Sequence, residues 1–157
     1  ILPHTFGGGQ ESGLRSGTEP LLLIAGFGAA VGAAGDPKEN LKKVLAVKTY
    51  LCDRFAADPE ILINSPENGS AYHLNISVPG IRSETMLHFL EDKGVYVSSG
   101  SACSKGKQSH VLQAMGLDRR RIDSALRISL SAYNTKEDAD MLLAGIAAAQ
   151  NSLIRSK

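Results

Sequence analysis

Apolar residues recur at helical spacing in the first third of the chain. Leu21, Ile24, Phe27 and Val31 are three or four positions apart, which predicts a helix that starts with Thr18 as its N-cap and ends near residue 35. A second helix is predicted from about residue 37 to residue 57. Residues 1–17 are rich in glycine and show neither the helical nor the strand period of apolar residues, so we expect an extended or looping arm there.

After residue 59 the pattern becomes that of short strands separated by helices. Strands are predicted over 61–63, 73–78, 95–97 and 126–130. Helices are predicted from Ser83, as the N-cap, to near residue 94, over 109–115, and from Thr135 onward, where Asp138 completes a capping box. This order predicts a mixed α/β fold in which helices cover one face of a small sheet.

Composition narrows the class of protein. The 157 residues are 43% hydrophobic and carry a formal net charge of +1, so no electrostatic argument favours nucleic acid or an anionic membrane as a partner. Glycines interrupt the longest apolar run, and we expect no membrane span. The first residue is Ile1 and not Met, which suggests a piece of something longer.

The two cysteines have different surroundings. Cys52 falls in the second predicted helix, so a disulfide framework is not expected and a reducing compartment is favoured. Cys103 follows an apolar run and sits among Ser, Gly and Ala, with two lysines within four residues. Nearby cations favour a thiolate, so this is the composition of a loop that carries a nucleophile. An ordinary free cysteine with solvated lysines fits the same residues.

Arg127 and Thr18 also have two interpretations each. Alternation places Arg127 on the strand face opposite Leu126 and Ile128, where it either faces solvent or binds a carboxylate with its planar fork. Thr18 caps a helix, and a helix start with a hydroxyl is also suited to phosphate. Arg15 is either an anion ligand or a solvated charge.

The histidines add little chemistry. His110 begins a helix just beyond Cys103, where a Cys–His pair is conceivable, although a histidine at a helix start is the simpler interpretation. The other three histidines have no metal-ligand spacing, and no cysteine or histidine pattern supports zinc. The run 119–121 of three arginines is interpreted as a solvated basic patch.

Several stretches together resemble the cysteine desulfurases of the NifS-like type, which are pyridoxal-phosphate enzymes of the class V aminotransferase group. Residues 7–20 are similar to the family's Gly-Gly-Gly-Gln-Glu-x-Gly-x-Arg-Ser-Gly-Thr segment, and residues 98–104 resemble its catalytic-cysteine loop. The segment 109–117 resembles the one that follows that loop, and 126–135 resembles the final strand and helix entry. These matches run in order and cover essentially the whole chain.

The resemblance implies a fold, a reaction and a set of roles. It implies the α+β small domain of a fold-type I pyridoxal-phosphate enzyme with a mostly antiparallel sheet, residues 18–157, preceded by the tail of the large cofactor domain, residues 1–17. The reaction would convert L-cysteine to L-alanine and leave the sulfur on Cys103 as a persulfide. Arg127 would bind the substrate carboxylate, and Thr18 would contact the cofactor phosphate, in the family from the partner subunit of the dimer. The resemblance also implies a homodimer in the cytoplasm. It would pass the sulfur to an acceptor protein for the synthesis of iron–sulfur clusters or other thio-compounds.

The sequence departs from the family in one important respect. The family's Schiff-base lysine lies in a Ser-x-His-Lys motif, and none of the four histidines here precedes a lysine. We therefore expect this polypeptide alone to be inactive as a desulfurase, since it would lack the attachment point of the electron sink. Two alternatives stay open, a stand-alone persulfide relay and a dimerisation or partner-docking domain without chemistry.

Overall fold

The computed structural model describes residues 1–99 and 109–153. It separates into two compact units, residues 1–37 and residues 38–157. We call these the N-terminal unit and the sheet unit. No helix within the described ranges is long and apolar enough to cross a bilayer.

The N-terminal unit begins with a loop that folds back on itself. A short 3₁₀ helix spans Gln10–Gly13, and Glu11 and Ser12 there have positive φ angles of 49° and 56°. The hydroxyl of Ser16 donates to the Gly8 carbonyl at 2.8 Å, and the backbone of Ser16 donates to that of Thr5 at 3.2 Å. The glycine-rich arm is therefore a closed loop held by its own hydrogen bonds.

Helix α1 spans Leu21–Ala33 and starts later than predicted. Its N-cap is Pro20, with ψ near 75°, and no side chain caps the helix. Thr18 lies two residues before that cap, so its predicted capping role is wrong. No residue of α1 is buried. Its large apolar side chains are exposed by 51 to 91%: Leu21, Leu22, Leu23, Ile24, Phe27 and Val31.

The sheet unit contains α2 (Pro37–Ala56, its first residue being the last of the N-terminal unit), β1 (Leu62–Ile63), β2 (His73–Ser77), α3 (Ser83–Glu91), β3 (Ser98–Ser99), α4 (His110–Ala114), α5 (Arg119–Asp123), β4 (Ala125–Ser129) and α6 (Lys136–Ser152). The four strands form one sheet in the order β1-β2-β4-β3, and every neighbouring pair is antiparallel. The predicted mixed fold with a small antiparallel sheet is confirmed.

The main core lies on one face of this sheet. Leu74 and Ile76 of β2 and Leu126 and Ile128 of β4 point toward it, as alternation requires. Helices α2, α3 and α6 supply the apolar side chains opposite them. They pack closely: a Cβ added at Gly145 of α6 would lie 2.6 Å from a methyl carbon of Leu90 in α3. Because this layer covers one face of the sheet, only side chains on the opposite face of each strand can reach a ligand.

Helices α4 and α5 cover one end of the second face. Leu112 of α4, Ile122 of α5 and Ala125 of β4 form a separate small apolar cluster there. Ala125 alternates with Leu126, so it belongs to the face opposite the main core. The rest of the second face carries polar side chains.

The start of α6 was predicted correctly because its signal is local. The Thr135 hydroxyl accepts from the backbone of Asp138, whose carboxylate accepts in return, so the capping box of α6 is present. Ser109 caps α4 by accepting from Leu112. At α3, in contrast, the predicted cap is wrong: Ser83 is the first helical residue, and Arg82 is the N-cap without a side-chain bond.

The third strand was predicted at 95–97, but pairing occurs at Ser98–Ser99. The cause is the end of α3, where Gly94 has a φ of 75° and the backbone of Val95 donates to the Leu90 carbonyl at 2.9 Å. This helix-ending motif uses the Val95 N–H, so the chain joins the sheet only at Ser98. Helix α5, capped by Asp118, was not predicted.

Candidate functional site

Arg127 lies at the centre of β4 on the face opposite the main core, as alternation predicts. Its side chain is exposed, and its Nη2 donates to the Ser98 hydroxyl at 3.3 Å. Ser98 is the register partner of Arg127 on the neighbouring strand β3. The guanidinium therefore retains most of its five N–H donors for a ligand at the surface.

Cys103 lies outside the described residues. The nearest described position before it is Ser99, four residues earlier, and the description resumes at Ser109. Its predicted nucleophilic role therefore stays a prediction.

Asn75 of β2 is the register partner of Arg127 on the other side of β4. Its backbone groups point away from β4: its carbonyl accepts from the N–H of Asn64 at 2.8 Å, and its N–H donates to the Ser65 hydroxyl at 2.8 Å. Asn75 and Arg127 therefore form a non-hydrogen-bonded antiparallel pair, in which the Cα atoms are about 4.5 Å apart and the side chains are close. Three side chains, Asn75, Arg127 and Ser98, consequently form one row across the sheet.

A polar network connects Asn75 to α5. The Asn64 amide nitrogen donates to Asn75 Oδ1 at 2.7 Å and to Ser77 Oγ at 2.8 Å. Asn64 Oδ1 accepts from Nε and Nη2 of Arg121 at 3.0 and 2.6 Å. Ser77 Oγ in turn donates to the Arg121 carbonyl at 2.7 Å. Asn64 and Ser77 are buried, so each of these bonds replaces one that water would have made.

Arg121 corrects the interpretation of the arginine run. Its side chain is half-buried and also donates to the Ile63 carbonyl at 3.1 Å. Arg119 and Arg120 are exposed, as predicted for a solvated patch. Only Arg121 lies on the side of α5 that faces β1, a distinction that three identical residues in sequence could not reveal.

Thr18 lies in the exposed part of the N-terminal unit. The Arg15 guanidinium donates through Nη1 to the carbonyls of Gly17 and Thr18 at 3.1 and 3.2 Å, which holds this side chain beside Thr18. No hydrogen bond of the Thr18 hydroxyl is found within the described chain. Thr18 and Arg127 belong to different units.

Cys52 is half-buried on α2. Burial raises the pKa of its thiol, and Asp53 acts in the same direction, while Lys48 opposes them. A raised thiol pKa lowers the thiolate fraction at neutral pH, so we expect Cys52 to react more slowly than an unperturbed thiol. His110 is the exposed first residue of α4, and no group of three potential metal ligands occurs among the described residues.

A cavity of about 270 Å³ opens at another place in the sheet unit. It lies between α2, the segment 94–97, the end of β4 and α6, and most of its lining is apolar. Arg127 is not among its lining residues. The row of Asn75, Arg127 and Ser98 and this cavity are therefore separate features.

Sequence reasoning missed Asn75, Asn64 and Arg121. A weak signal was present for Asn75, because asparagine is disfavoured in strands, although this one occupies a polar position of the alternating pattern 73–78. Nothing local marked Arg121, whose partner is 57 residues away in sequence. Such a contact depends on strand pairing and not on local pattern.

Comparison with known proteins supports the resemblance noted in the sequence. Residues 4–142 match the model of the aminotransferase class-V family. A NifS/IcsS protein homolog of Lactobacillus delbrueckii subsp. bulgaricus is 38% identical over 149 residues, which are 92% of this chain and 39% of that protein. Cysteine desulfurase IscS of Clostridium botulinum is 38% identical over 144 residues, which are 87% of this chain and 36% of that protein.

Solved structures agree with the sequence comparisons. The NifS-like protein of Rickettsia africae superposes with a TM-score of 0.76 at 32% identity, covering 96% of this chain and 40% of that one. Another NifS-like protein gives a TM-score of 0.79 at 36% identity, with coverages of 98% and 40%. This chain thus spans about two fifths of the proteins it matches. From the family match, which covers most of its length, the chain belongs to the class V aminotransferase family.

Proposed function

We propose that this chain forms the carboxyl-terminal part of a pyridoxal-phosphate-dependent cysteine desulfurase, which converts L-cysteine to L-alanine and transfers the sulfur to Cys103 as a persulfide. Two relatives support this activity by name: the desulfurase of Clostridium botulinum and a cysteine desulfurase of Archaeoglobus fulgidus, 37% identical over 147 residues. The exposed apolar side chains of α1 support a partial chain, because such a surface is normally covered by other polypeptide.

The single observation that carries the proposal is the placement of Arg127. An exposed guanidinium stands on the open face of the sheet, hydrogen-bonded to Ser98. Cys103 is five residues beyond Ser98, no more than about 18 Å of extended chain. A group suited to an amino-acid carboxylate is thus tethered by a short segment to the proposed sulfur acceptor.

The residues present fit the phosphate of pyridoxal phosphate at Thr18. Its hydroxyl is exposed and has no partner within the described chain, and the Arg15 guanidinium lies beside it. A hydroxyl donor next to a cation is suited to a phosphate oxygen. When bound, the cofactor supplies an electron sink that loosens the bonds at the substrate Cα. Thr18 would hold the cofactor through this phosphate.

The remaining roles belong to Arg127 and Cys103. Arg127 would bind the substrate carboxylate through two parallel N–H bonds, which fixes the direction in which the substrate thiol points. The Cys103 thiolate would attack that sulfur, so that a sulfur–sulfur bond forms while the substrate's carbon–sulfur bond breaks. The electron pair of the broken bond would stay with the carbon, which takes up a proton to become the methyl group of alanine. Lys105 and Lys107 favour the thiolate by charge.

Four more specific features of the proposal rest on the family resemblance alone. A homodimer, a cytoplasmic location, a sulfur-acceptor protein and a role in iron–sulfur cluster synthesis stay predictions from the family resemblance. The proposed division into residues 1–17 and 18–157 refers to the domains of the full-length enzyme, and it differs from the compact units 1–37 and 38–157.

The test compares the two cysteines in the full polypeptide that contains this chain. With L-cysteine as substrate, we expect Cys103→Ser to abolish alanine formation above background, because no thiolate remains to accept the sulfur. We expect Cys52→Ser to retain nearly full activity, and mass spectrometry to find the extra sulfur on Cys103. Unchanged activity of Cys103→Ser would refute the assignment.

The 157-residue chain alone provides a second test. With pyridoxal phosphate and L-cysteine it is expected to form no alanine and no lysine-bound cofactor absorbance. If instead it accepts sulfur on Cys103 from a persulfide donor, the relay interpretation is favoured. Steady alanine production would contradict the expectation of inactivity.

A further inference from the structure

The row formed by Asn75, Arg127 and Ser98 consists of hydrogen-bond donors. Arg127 can only donate. The Ser98 hydroxyl accepts from Arg127, which leaves its own proton for another acceptor. What Asn75 presents depends on which end of its amide faces the row, and the network behind it decides this.

Arg121 sets the orientation of both amides. Because arginine has no acceptor, the Asn64 atom that contacts Nε and Nη2 of Arg121 must be the oxygen. The Asn64 nitrogen is then directed at Asn75, at 2.7 Å, so the Asn75 atom it meets must also be an oxygen. The Asn75 Nδ2 is therefore the end left over.

The Asn75 Nδ2 has no hydrogen-bond partner in the described part of the chain. Neighbouring Arg127 cannot accept from it, since both groups are donors. The hydrogen bonds between β2 and β4 show that these two side chains lie side by side. Backbone bonds join Leu130 N to Tyr72 O at 2.8 Å and Val78 N to Ser124 O at 3.4 Å, on either side of the Asn75–Arg127 pair. Because hydrogen-bonded pairs alternate with non-hydrogen-bonded pairs in an antiparallel ladder, Asn75 and Arg127 form a non-hydrogen-bonded pair, in which the side chains are closer.

Two adjacent donor groups without a common acceptor form an anion site. We propose that Asn75 donates its Nδ2 to the same substrate carboxylate that Arg127 binds, and that Arg121, through Asn64, is a positioning residue that holds this amide in its donating orientation. The inference rests on the proposed carboxylate-binding role of Arg127. It adds a specificity determinant, because the second donor favours a carboxylate over a carboxamide.

Two variants at position 75 are read together. Asn75→Ala removes the Nδ2 donor without adding charge, so a loss of acid preference in this variant reports the donor itself. Asn75→Asp preserves the size of the side chain and the acceptor for the Asn64 nitrogen, but its carboxylate would also pair with the neighbouring Arg127, so it shows whether the fold tolerates the change and not which group binds the substrate. Asn68→Asp in the exposed turn between β1 and β2 adds the same charge elsewhere and is the matched control.

The measurement is the calorimetric Kd of L-alanine divided by that of L-alaninamide, in the full polypeptide containing this chain. We expect the preference for the acid to fall by about 10- to 100-fold in Asn75→Ala, the range for one hydrogen bond to a charged group. Asn75→Asp should lose at least as much, and Asn68→Asp should stay within about twofold. KM for L-cysteine should rise in parallel with these losses.

The positioning role has its own test. In Asn64→Asp the aspartate still accepts from Arg121 but cannot donate to Asn75, so the Asn75 amide turns and presents its oxygen to the row. We expect the same loss of acid preference as in Asn75→Ala, and no further loss when the two changes are combined. If the losses of acid preference in Asn64→Asp and Asn75→Ala add up fully in the double variant, Arg121 does not orient Asn75 through Asn64.

Arg127→Ala separates the two proposals. If it abolishes the acid preference while Asn75→Ala leaves that preference within twofold of the natural protein, this inference is wrong and the role of Arg127 stands. If neither variant changes the preference, both are wrong. If only the Asn75 variants reduce it, the donor role of Asn75 stands and the carboxylate role of Arg127 fails.

Discussion

Removing the Arg121 side chain should weaken the sheet unit far more than removing its neighbour. Arg121→Ala deletes two hydrogen bonds to Asn64 Oδ1, at 3.0 and 2.6 Å, and one to the Ile63 carbonyl at 3.1 Å. Asn64 is only 7% exposed, so water cannot easily replace the lost donors.

The magnitude follows from the cost of an unpaired buried acceptor. Each buried acceptor left without a partner costs about 1–3 kcal/mol. Two acceptors are affected, and the half-buried position of Arg121 admits some water at the Ile63 carbonyl. We therefore expect a loss of about 2–4 kcal/mol in the free energy of unfolding.

The assay is urea unfolding of the 157-residue chain, followed by circular dichroism. With a typical slope for small domains, this loss lowers the urea midpoint by about 1–2 M. Arg120→Ala is the matched control, because the Arg120 side chain is exposed, and it should change stability by less than about 0.5 kcal/mol. Arg121→Lys should fall between them, since an ammonium cannot reproduce the planar fork. Equal midpoints for Arg120→Ala and Arg121→Ala would refute the argument.

Three further predictions concern helices. Thr135→Ala removes the capping box of α6 and should lower the free energy of unfolding, measured by thermal unfolding, by about 1 kcal/mol. Thr135→Ser keeps a hydroxyl at the cap and should retain most of that stability. An equal loss in both variants would contradict a capping role. Gly145→Ala forces a Cβ within 2.6 Å of Leu90 and should destabilise by about 1–2 kcal/mol after the gain in helix propensity, but should become neutral or stabilising in a Leu90→Ala background. Because burial raises the pKa of the Cys52 thiol, its alkylation by iodoacetamide at pH 8 should be slower than that of a free peptide cysteine and should accelerate as the pH rises toward that raised pKa; peptide-like rates would show that the thiol is not buried in solution.

The sequence predicted features whose signals are local. The cap residue Thr135 was recognised because its partner Asp138 lies three residues away. The strand face of Arg127 followed from a period of two. Where a local signal competed with another, prediction failed: Pro20 displaced Thr18 as the cap of α1, and the helix-ending motif at Gly94 moved the third strand to Ser98.

The sequence by itself therefore determined the fold class, the family and the positions of Cys103, Arg127 and Thr18 in its motifs. Only the tertiary structure decided that Asn75 lies beside Arg127 and that Arg121, unlike Arg120, orients an amide 57 residues away. The physical reason is that caps and alternation depend on residues a few positions apart, whereas register and amide orientation depend on strands and a helix that meet only when the chain folds.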